Sequence, residues 1–239
     1  MLLIFGLTCL ALLTSAIAGI LGFGGGMLLI AILPAFLPAT AIIPIHGIVQ
    51  LASNGSRVLF SLKDVEWRLL PPFLAGSVIG LAFFGYFLYS IPAQYIPVAI
   101  GAYILLSLWS AHFNQFLKRY ESFYAVGAMQ SGLSLIVGAT GPLATSILTR
   151  HLQNKDKIIA TGAIFMAISH LAKILIFGLI GFSFSEFIGL ILLMSGGAIA
   201  GSYLGTQFRQ QINNQTYLNV VKAILSILAF RMIWLSIME

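Results

Sequence analysis

Apolar residues run in long stretches along the whole chain, and glycine-rich stretches interrupt two of them. The first interruption is Gly22 to Gly26, and the second is Gly138 to Pro142. Glycine costs a helix about 1 kcal/mol per residue relative to alanine, so we expect the helix to break at both places. In a membrane, broken backbone is tolerated only where protein or a water-filled cavity satisfies it. The two breaks are therefore the predicted binding site.

The apolar pattern predicts the same order of helical segments in each half of the chain. In the first half they are 2–20, a short piece at 27–37, and spans at 41–62, 69–89 and 93–113. In the second half they are 122–137, a short piece at 143–149, and spans at 158–182, 187–208 and 217–237. We expect residues 1–19 to stay in the protein. A signal peptide requires a Lys or Arg before its apolar run and none is present, and the internal repeat described below needs this segment.

Composition places the chain among membrane proteins. Of the 239 residues, 59% are hydrophobic and only 8% are charged, which leaves no polar stretch long enough for a soluble domain. The net charge of +6 lies mostly in short loops, where it sets orientation and does not indicate nucleic acid. The lone Cys9 excludes disulfides and thiol metal sites, and we expect no cofactor or metal. The prediction is an all-α polytopic membrane protein.

Weak internal similarity indicates a duplication, with a first repeat at 1–119 and a second at 120–239 in one transmembrane domain. At an offset of 116 residues the two glycine stretches align, and Ser53-Asn54-x-x-Arg57 falls on Ser169-His170-x-x-Lys173. At an offset of 121, Gly76-x-x-x-Gly80 falls on Gly197-x-x-x-Gly201.

Basic residues predict the orientation of the repeats. They flank four connections, at Lys63 and Arg68, at Lys118 and Arg119, at 150–157, and at Arg209. All four are cytoplasmic only if each glycine break is the tip of a re-entrant hairpin that enters and leaves on one side. Each half then has one hairpin and three spans, so the halves are inverted and both termini face outward. The expected location is the cell (cytoplasmic) membrane.

A short helix begins at each hairpin tip, and its unpaired backbone N–H groups and dipole favour an anion. The predicted binding residues at the tips are Gly24, Gly25, Gly26, Gly138, Thr140 and Gly141. The alternative is that these glycines only let helices pack closely, the interpretation we favour for Gly76, Gly80, Gly197 and Gly201.

Charged side chains also favour an anion. All six Asp and Glu residues lie in predicted loops or at the terminus, whereas the cations Arg57, Lys173, Lys222 and Arg231 fall within apolar spans. Burying such a cation costs about 3 kcal/mol or more, so each needs a reason. Lys173 either faces the substrate path or is structural, and the other three could snorkel to the membrane surface.

Two further polar residues belong to the predicted path. His170 lies one helical turn from Lys173, and Asn54 holds the matching position beside Arg57. His170 could couple transport to pH or serve only as a hydrogen-bonded packing residue. The predicted binding set is completed by Asn54, Arg57, His170 and Lys173.

No catalytic, zinc or phosphate-binding motif occurs, so the chain is not expected to be an enzyme. The expected partners are a small anion and the lipid bilayer. The Gly-x-x-x-Gly faces would suit a homodimer. An anion channel of the same architecture and a non-transporting membrane scaffold are the alternatives to a transporter.

The first break resembles a signature of the TauE/SafE membrane permeases, the sulfite exporter family. The resemblance rests on Gly22-Phe23-Gly24-Gly25-Gly26-Met27-Leu28 with Pro34 downstream, and on the second glycine stretch at the equivalent place. The second stretch departs from the pattern at Ala139-Thr140. Membership implies a secondary transporter that exports sulfite or an organosulfur anion across the cytoplasmic membrane.

Overall fold

The chain folds into helices throughout the part that the structure describes. This computed structural model describes residues 2–88, 91–113, 115, 122–209 and 214–238. Within them lie ten α-helices of eight residues or more. They are α1 (Leu2–Leu21), α2 (Gly25–Ile32), α3 (Ala39–Phe60), α4 (Leu70–Leu88), α5 (Ile96–Trp109), α6 (Phe123–Val137), α7 (Gly141–His151), α8 (Lys155–Leu179), α9 (Ile188–Phe208) and α10 (Asn214–Met238).

Among the described residues, five helical segments are long and apolar enough to cross a membrane. They are Leu2–Leu21, Trp67–Leu88, Lys155–Leu179, Phe184–Phe208 and Leu218–Ser236. The sequence predicts spans at α3 and at 93–113 too, but neither is among the five. The apolar segment Ala93–Trp109 is shorter than the others, whereas α3 has 22 residues. Polar side chains lower the hydropathy of α3, and those between His46 and Arg57 are buried within the protein and do not face lipid. The chain is therefore a multi-pass membrane protein with a polar central helix.

Helices α3 and α8 pack against each other at the centre of the fold. The most extensive other pairings are α1 with α9, α4 with α6, and α3 with α9. A short helix follows each glycine break and packs against the helix that precedes the break: α2 contacts α1, and α7 contacts α6. This arrangement brings the two breaks next to the central pair.

The spacing of helix ends matches the offset found in the sequence. Three helix ends in the first half have a counterpart 116 positions later, namely Leu21 and Val137, Gly25 and Gly141, and Ala39 and Lys155. The boundary between the predicted repeats, and the predicted basic pair Lys118 and Arg119, lie outside the described residues.

The Gly-x-x-x-Gly faces are used inside the chain. A methyl group on Gly76 or Gly80 would collide with the backbone carbonyls of α6, and one on Gly197 or Gly201 would collide with those of α1. These glycines therefore allow α4–α6 and α1–α9 to approach closely. The expectation of a homodimer loses the support that these faces gave it.

Candidate functional site

Both predicted breaks are present, and glycine is required at each. The first lies between Leu21 and Gly25, where Gly22 and Gly24 have φ angles of +87° and +91°. The second lies between Val137 and Gly141, where Gly138 has φ of +74°. Side chains other than glycine rarely adopt this left-handed region. The backbone conformation of both breaks therefore depends on positions that glycine alone occupies at low cost.

The two breaks meet at one small central cavity. Gly24 and Gly26 line it from the first break, Gly141 lines it from the second, and Asn54 and Arg57 line it from α3. Its volume is about 20 Å³, which is room for about one water molecule. Five of the predicted binding residues therefore come together around a single space. No Asp or Glu is among the described residues that line it.

Arg57 is the cation of this cavity. Its side chain is 1% exposed, so it does not snorkel to the membrane surface. Nη1 donates to Oδ1 of Asn54 at 3.2 Å, and Nη2 donates to Oγ of Ser53 at 3.3 Å. Nε is buried and has no hydrogen-bond partner in the described part of the chain. A buried guanidinium with one free donor and no carboxylate partner in the cavity is suited to an anion.

Asn54 is itself held by Gln50. Its amide nitrogen donates to the Gln50 carbonyl oxygen at 2.8 Å, and it lies 3.3 Å from the Gln50 side-chain oxygen. Its own oxygen is therefore turned toward Arg57. Gln50 lines the cavity as well, and its Oε1 is the atom nearest to a methyl group placed on Gly26.

Lys173 and His170 lie beside the cavity and do not line it. The Lys173 ammonium donates to the Gly138 carbonyl oxygen at 2.6 Å and lies 3.1 Å from Nδ1 of His170. Both side chains are completely buried. The cation therefore holds the carbonyl of the residue that follows α6, where the negative end of the helix dipole favours it.

His46 links this group to the first break. Its Nε2 donates to the Gly26 carbonyl oxygen at 2.9 Å, and its ring packs edge-on against His170 with centroids 5.6 Å apart. Nδ1 of His46 and Nε2 of His170 are buried without partners among the described residues. Lys173, His170 and His46 thus form a continuous polar group that contacts both breaks.

The remaining predicted residues have other contacts in this conformation. The Thr140 hydroxyl donates to the carbonyl oxygen of Gln130 at 3.1 Å, so its hydrogen is already used. Gly25 packs so closely on α1 that a methyl group would meet the carbonyl of Thr14. Of these two, Gly25 contributes a backbone N–H at the start of α2, and Thr140 fixes the second break.

Sequence reasoning missed Arg209 as a buried residue. It follows α9 directly, at a position where the sequence predicts a connection between helices, yet its side chain is 3% exposed. Its Nε donates to the Gly19 carbonyl oxygen at 2.9 Å, near the end of α1. A cation at the end of an apolar span is typical of a membrane surface, so the sequence carries no signal for this burial.

Comparison with known families agrees with this architecture. The family model described as sulfite exporter TauE/SafE matches residues 7–232, which is nearly the whole chain. No curated protein and no solved structure matches the chain significantly. Described residues contain no cluster of three or more side chains suited to a metal ion. The family consists of membrane transporters and not enzymes, as expected from the sequence. The chain belongs to the TauE/SafE sulfite exporter family.

Proposed function

We propose that this chain is a secondary transporter that carries a small anion, sulfite or an organosulfur anion such as a sulfonate, by alternating access at the central cavity. The observation that carries the proposal is the meeting of the two glycine breaks at Arg57, in a cavity whose described lining has no carboxylate. A buried cation without an acidic partner attracts an anion and repels Na⁺ or other cations.

The two breaks contribute unequal sets of backbone donors. Helix α2 begins with Gly25 and Gly26, whose N–H groups belong to the first turn and have no partner within the helix. Helix α7 begins with Gly141 and Pro142, and proline has no N–H to offer. The anion is therefore held mainly by the first break and Arg57, while Gly141 and Asn54 complete its surroundings.

Lys173 and His170 act in this proposal as positioning residues. The hydrogen bond from Lys173 to Gly138 fixes the position of the second break, and His46 does the same for Gly26 in the first. Movement of α8 relative to α3 would change both contacts together, because His46 and His170 lie on these two helices and pack against each other. This polar group is the proposed connection between the two halves of the site.

The cavity must widen before an anion binds. Its volume of about 20 Å³ holds about one water molecule, and an anion with three oxygen atoms around sulfur is larger. The structure therefore corresponds to a closed state in this proposal. Opening toward one side and then the other is the alternating access of a carrier, whereas a channel of the same architecture would be open to both sides at once.

The proposed movement relies on two inverted repeats, 1–119 and 120–239. Two features support them: the recurrence of helix ends after 116 positions, and the helix pairing. If α1 corresponds to α6 and α4 to α9, the pairing of α1 with α9 is the counterpart of α4 with α6, and these are the two most extensive pairings. The distribution of basic residues supports inversion, with both termini outside.

Uptake by proteoliposomes tests the proposal. Labelled sulfite, sulfate, thiosulfate and a small sulfonate are offered to wild type, Gly26→Leu and Gly6→Leu, at matched folded protein. A side chain at Gly26 would press on Gln50 at the lining of the cavity, whereas a methyl group on Gly6 meets nothing within 4 Å. Saturable uptake and counterflow of one anion, lost only in Gly26→Leu, support the carrier. Flux that does not saturate indicates the channel, and no flux of any anion in wild type indicates a scaffold.

A further inference from the structure

Arg209 is a second buried guanidinium with a free donor. Its Nε donates to the Gly19 carbonyl oxygen, and its Nη1 donates to Oδ1 of Asp156 at 2.9 Å. Its Nη2 is buried and has no hydrogen-bond partner among residues that the structure describes. The cap on α1 and the ion pair with α8 account for two of its nitrogens. Neither accounts for the third, and buried donors are rarely left unsatisfied.

The free donor belongs to a residue that lines an open pocket. This pocket has a volume of about 350 Å³ and lies where the α3–α4 connection, the start of α8 and the end of α9 come together. Its lining includes Lys63, Asp64, Asp156, Thr206 and Arg209. The basic residues of these connections predict that this is the cytoplasmic side. The pocket is therefore an inner mouth of the protein.

Arg209 lies near Arg57, which lines the central cavity. The two cations are close enough for their charges to interact electrostatically. Arg57 belongs to α3 and Arg209 follows α9, and these two helices are joined where the Ser202 hydroxyl donates to the Ser53 carbonyl oxygen at 2.8 Å. Both residues keep one buried nitrogen without a partner among the described residues. One guanidinium thus lines the central cavity, and a second one near it lines the inner mouth.

Asp156 is placed to compete with an anion at Arg209. Its side chain is 34% exposed at the inner pocket, whereas Arg209 is 3% exposed. Other charged groups near Arg209 are Arg57, Lys63, Asp64 and Lys155, whose ammonium donates to the Arg209 carbonyl oxygen at 3.2 Å. A carboxylate and a sulfur oxyanion both accept hydrogen bonds from guanidinium in the same way. Asp156 is able to leave toward solvent when another anion arrives.

We infer that Arg57 and Arg209 are successive binding stations for the transported anion, and that Asp156 occupies Arg209 in its absence and closes the inner mouth. The inference rests on the proposed function and adds a second site to it. The anion passes between Nε of Arg57 and the guanidinium of Arg209, where it accepts from Nη2 and displaces Asp156 from Nη1. Because Arg209 also holds the end of α1, release of Asp156 loosens α8 from the helix that leads into the first break.

The test compares the KM for sulfite or thiosulfate on the two faces of oriented membrane vesicles. Asp156→Asn removes the competing charge, so we expect KM on the Arg209 face to fall about tenfold while KM on the opposite face stays unchanged. Arg209→Lys keeps the charge but loses the fork of donors, and should raise KM on the same face. Asp64→Asn is the matched control, since it removes a carboxylate from the same pocket.

The outcomes separate this inference from the proposed function. Equal effects of Asp156→Asn and Asp64→Asn, or equal changes on both faces, would overturn the second station and leave the central site standing. If wild type transports none of the tested anions, the proposed function fails and the inference fails with it. Thermal unfolding of each variant is measured in parallel. If the ion pair is merely structural, its loss lowers stability and does not change KM on the Arg209 face alone.

Discussion

The ammonium of Lys173 lies 2.6 Å from the carbonyl oxygen of Gly138, so a cation on the central helix α8 holds the second helix break in place. Arg209 makes the corresponding contact near the first break, where its Nε lies 2.9 Å from the carbonyl oxygen of Gly19. The C-terminal end of each broken helix is therefore bound by a buried cation. Such an end carries a partial negative charge, which the cation balances.

Lys173→Met should reduce the maximal rate of transport and leave KM nearly unchanged. The lysine holds Gly138 but does not line the cavity, so its loss disturbs the movement of the break more than the binding of the anion. A hydrogen bond from a charged group contributes about 1.5–3 kcal/mol, which corresponds to a loss of about tenfold or more in rate. The measurement is saturable uptake by proteoliposomes.

Lys222→Met is the control for this variant, because Lys222 is an exposed lysine that also lies within an apolar helix, α10. It should transport like wild type. A rise in KM for Lys173→Met, with the maximal rate unchanged, would instead place Lys173 in direct contact with the anion.

Arg57→Gln should show the opposite pattern, with KM raised about tenfold or more. Arg57 lines the cavity and is 1% exposed, so its charge acts on the anion at short range and without water. Glutamine keeps a polar side chain near Asn54 and Ser53 but removes the charge. Arg68→Gln removes the same charge from an exposed side chain and should leave KM unchanged. An unchanged KM in Arg57→Gln would exclude Arg57 from the binding site.

The course of the helices and the positions of the breaks could be predicted from the sequence, because both depend on local properties. Apolar runs define the helices, and the density of glycine at 22–26 and 138–142 ends them. The predicted segment 122–137 and the observed helix Phe123–Val137 differ by one residue at one end. The pairing of the helices and the burial of individual side chains depend on three-dimensional packing and could not be predicted in this way.

The candidate site shows where local reasoning stops. Gly24, Gly26, Asn54, Arg57 and Gly141, which the sequence predicts as binding residues in the two breaks and in one span, lie around one cavity. The burial of Arg209 depends on contacts with Gly19 and Asp156, which are 190 and 53 positions away in the chain. The hydroxyl of Thr140 is used by Gln130 across the turn. Neither contact has a signal in the local sequence.

Gly80→Ala should destabilise the fold by about 1–3 kcal/mol, because the added methyl group would overlap the backbone of Ala128 on α6. Backbone atoms cannot rotate away, so the two helices must separate. Gly196→Ala is the matched control in another helix, where a methyl group meets nothing within 4 Å. It should be neutral or stabilise by up to about 1 kcal/mol, since alanine is the better helix former. Thermal unfolding in detergent compares the two, and similar values would contradict close packing at Gly80.

Labelling of single cysteines should place the connections of the chain on opposite sides of the membrane. In a Cys9→Ala background, Gln153→Cys lies in the exposed connection before α8, and Ser185→Cys lies in the exposed connection between α8 and α9. The basic residues near Gln153 predict that it is cytoplasmic, and α8 is long enough to cross the membrane, so Ser185 should be outside. A membrane-impermeant maleimide added to intact cells should therefore label Ser185→Cys and spare Gln153→Cys. The reverse result would invert the predicted orientation, and labelling of both from one side would contradict a membrane-crossing α8.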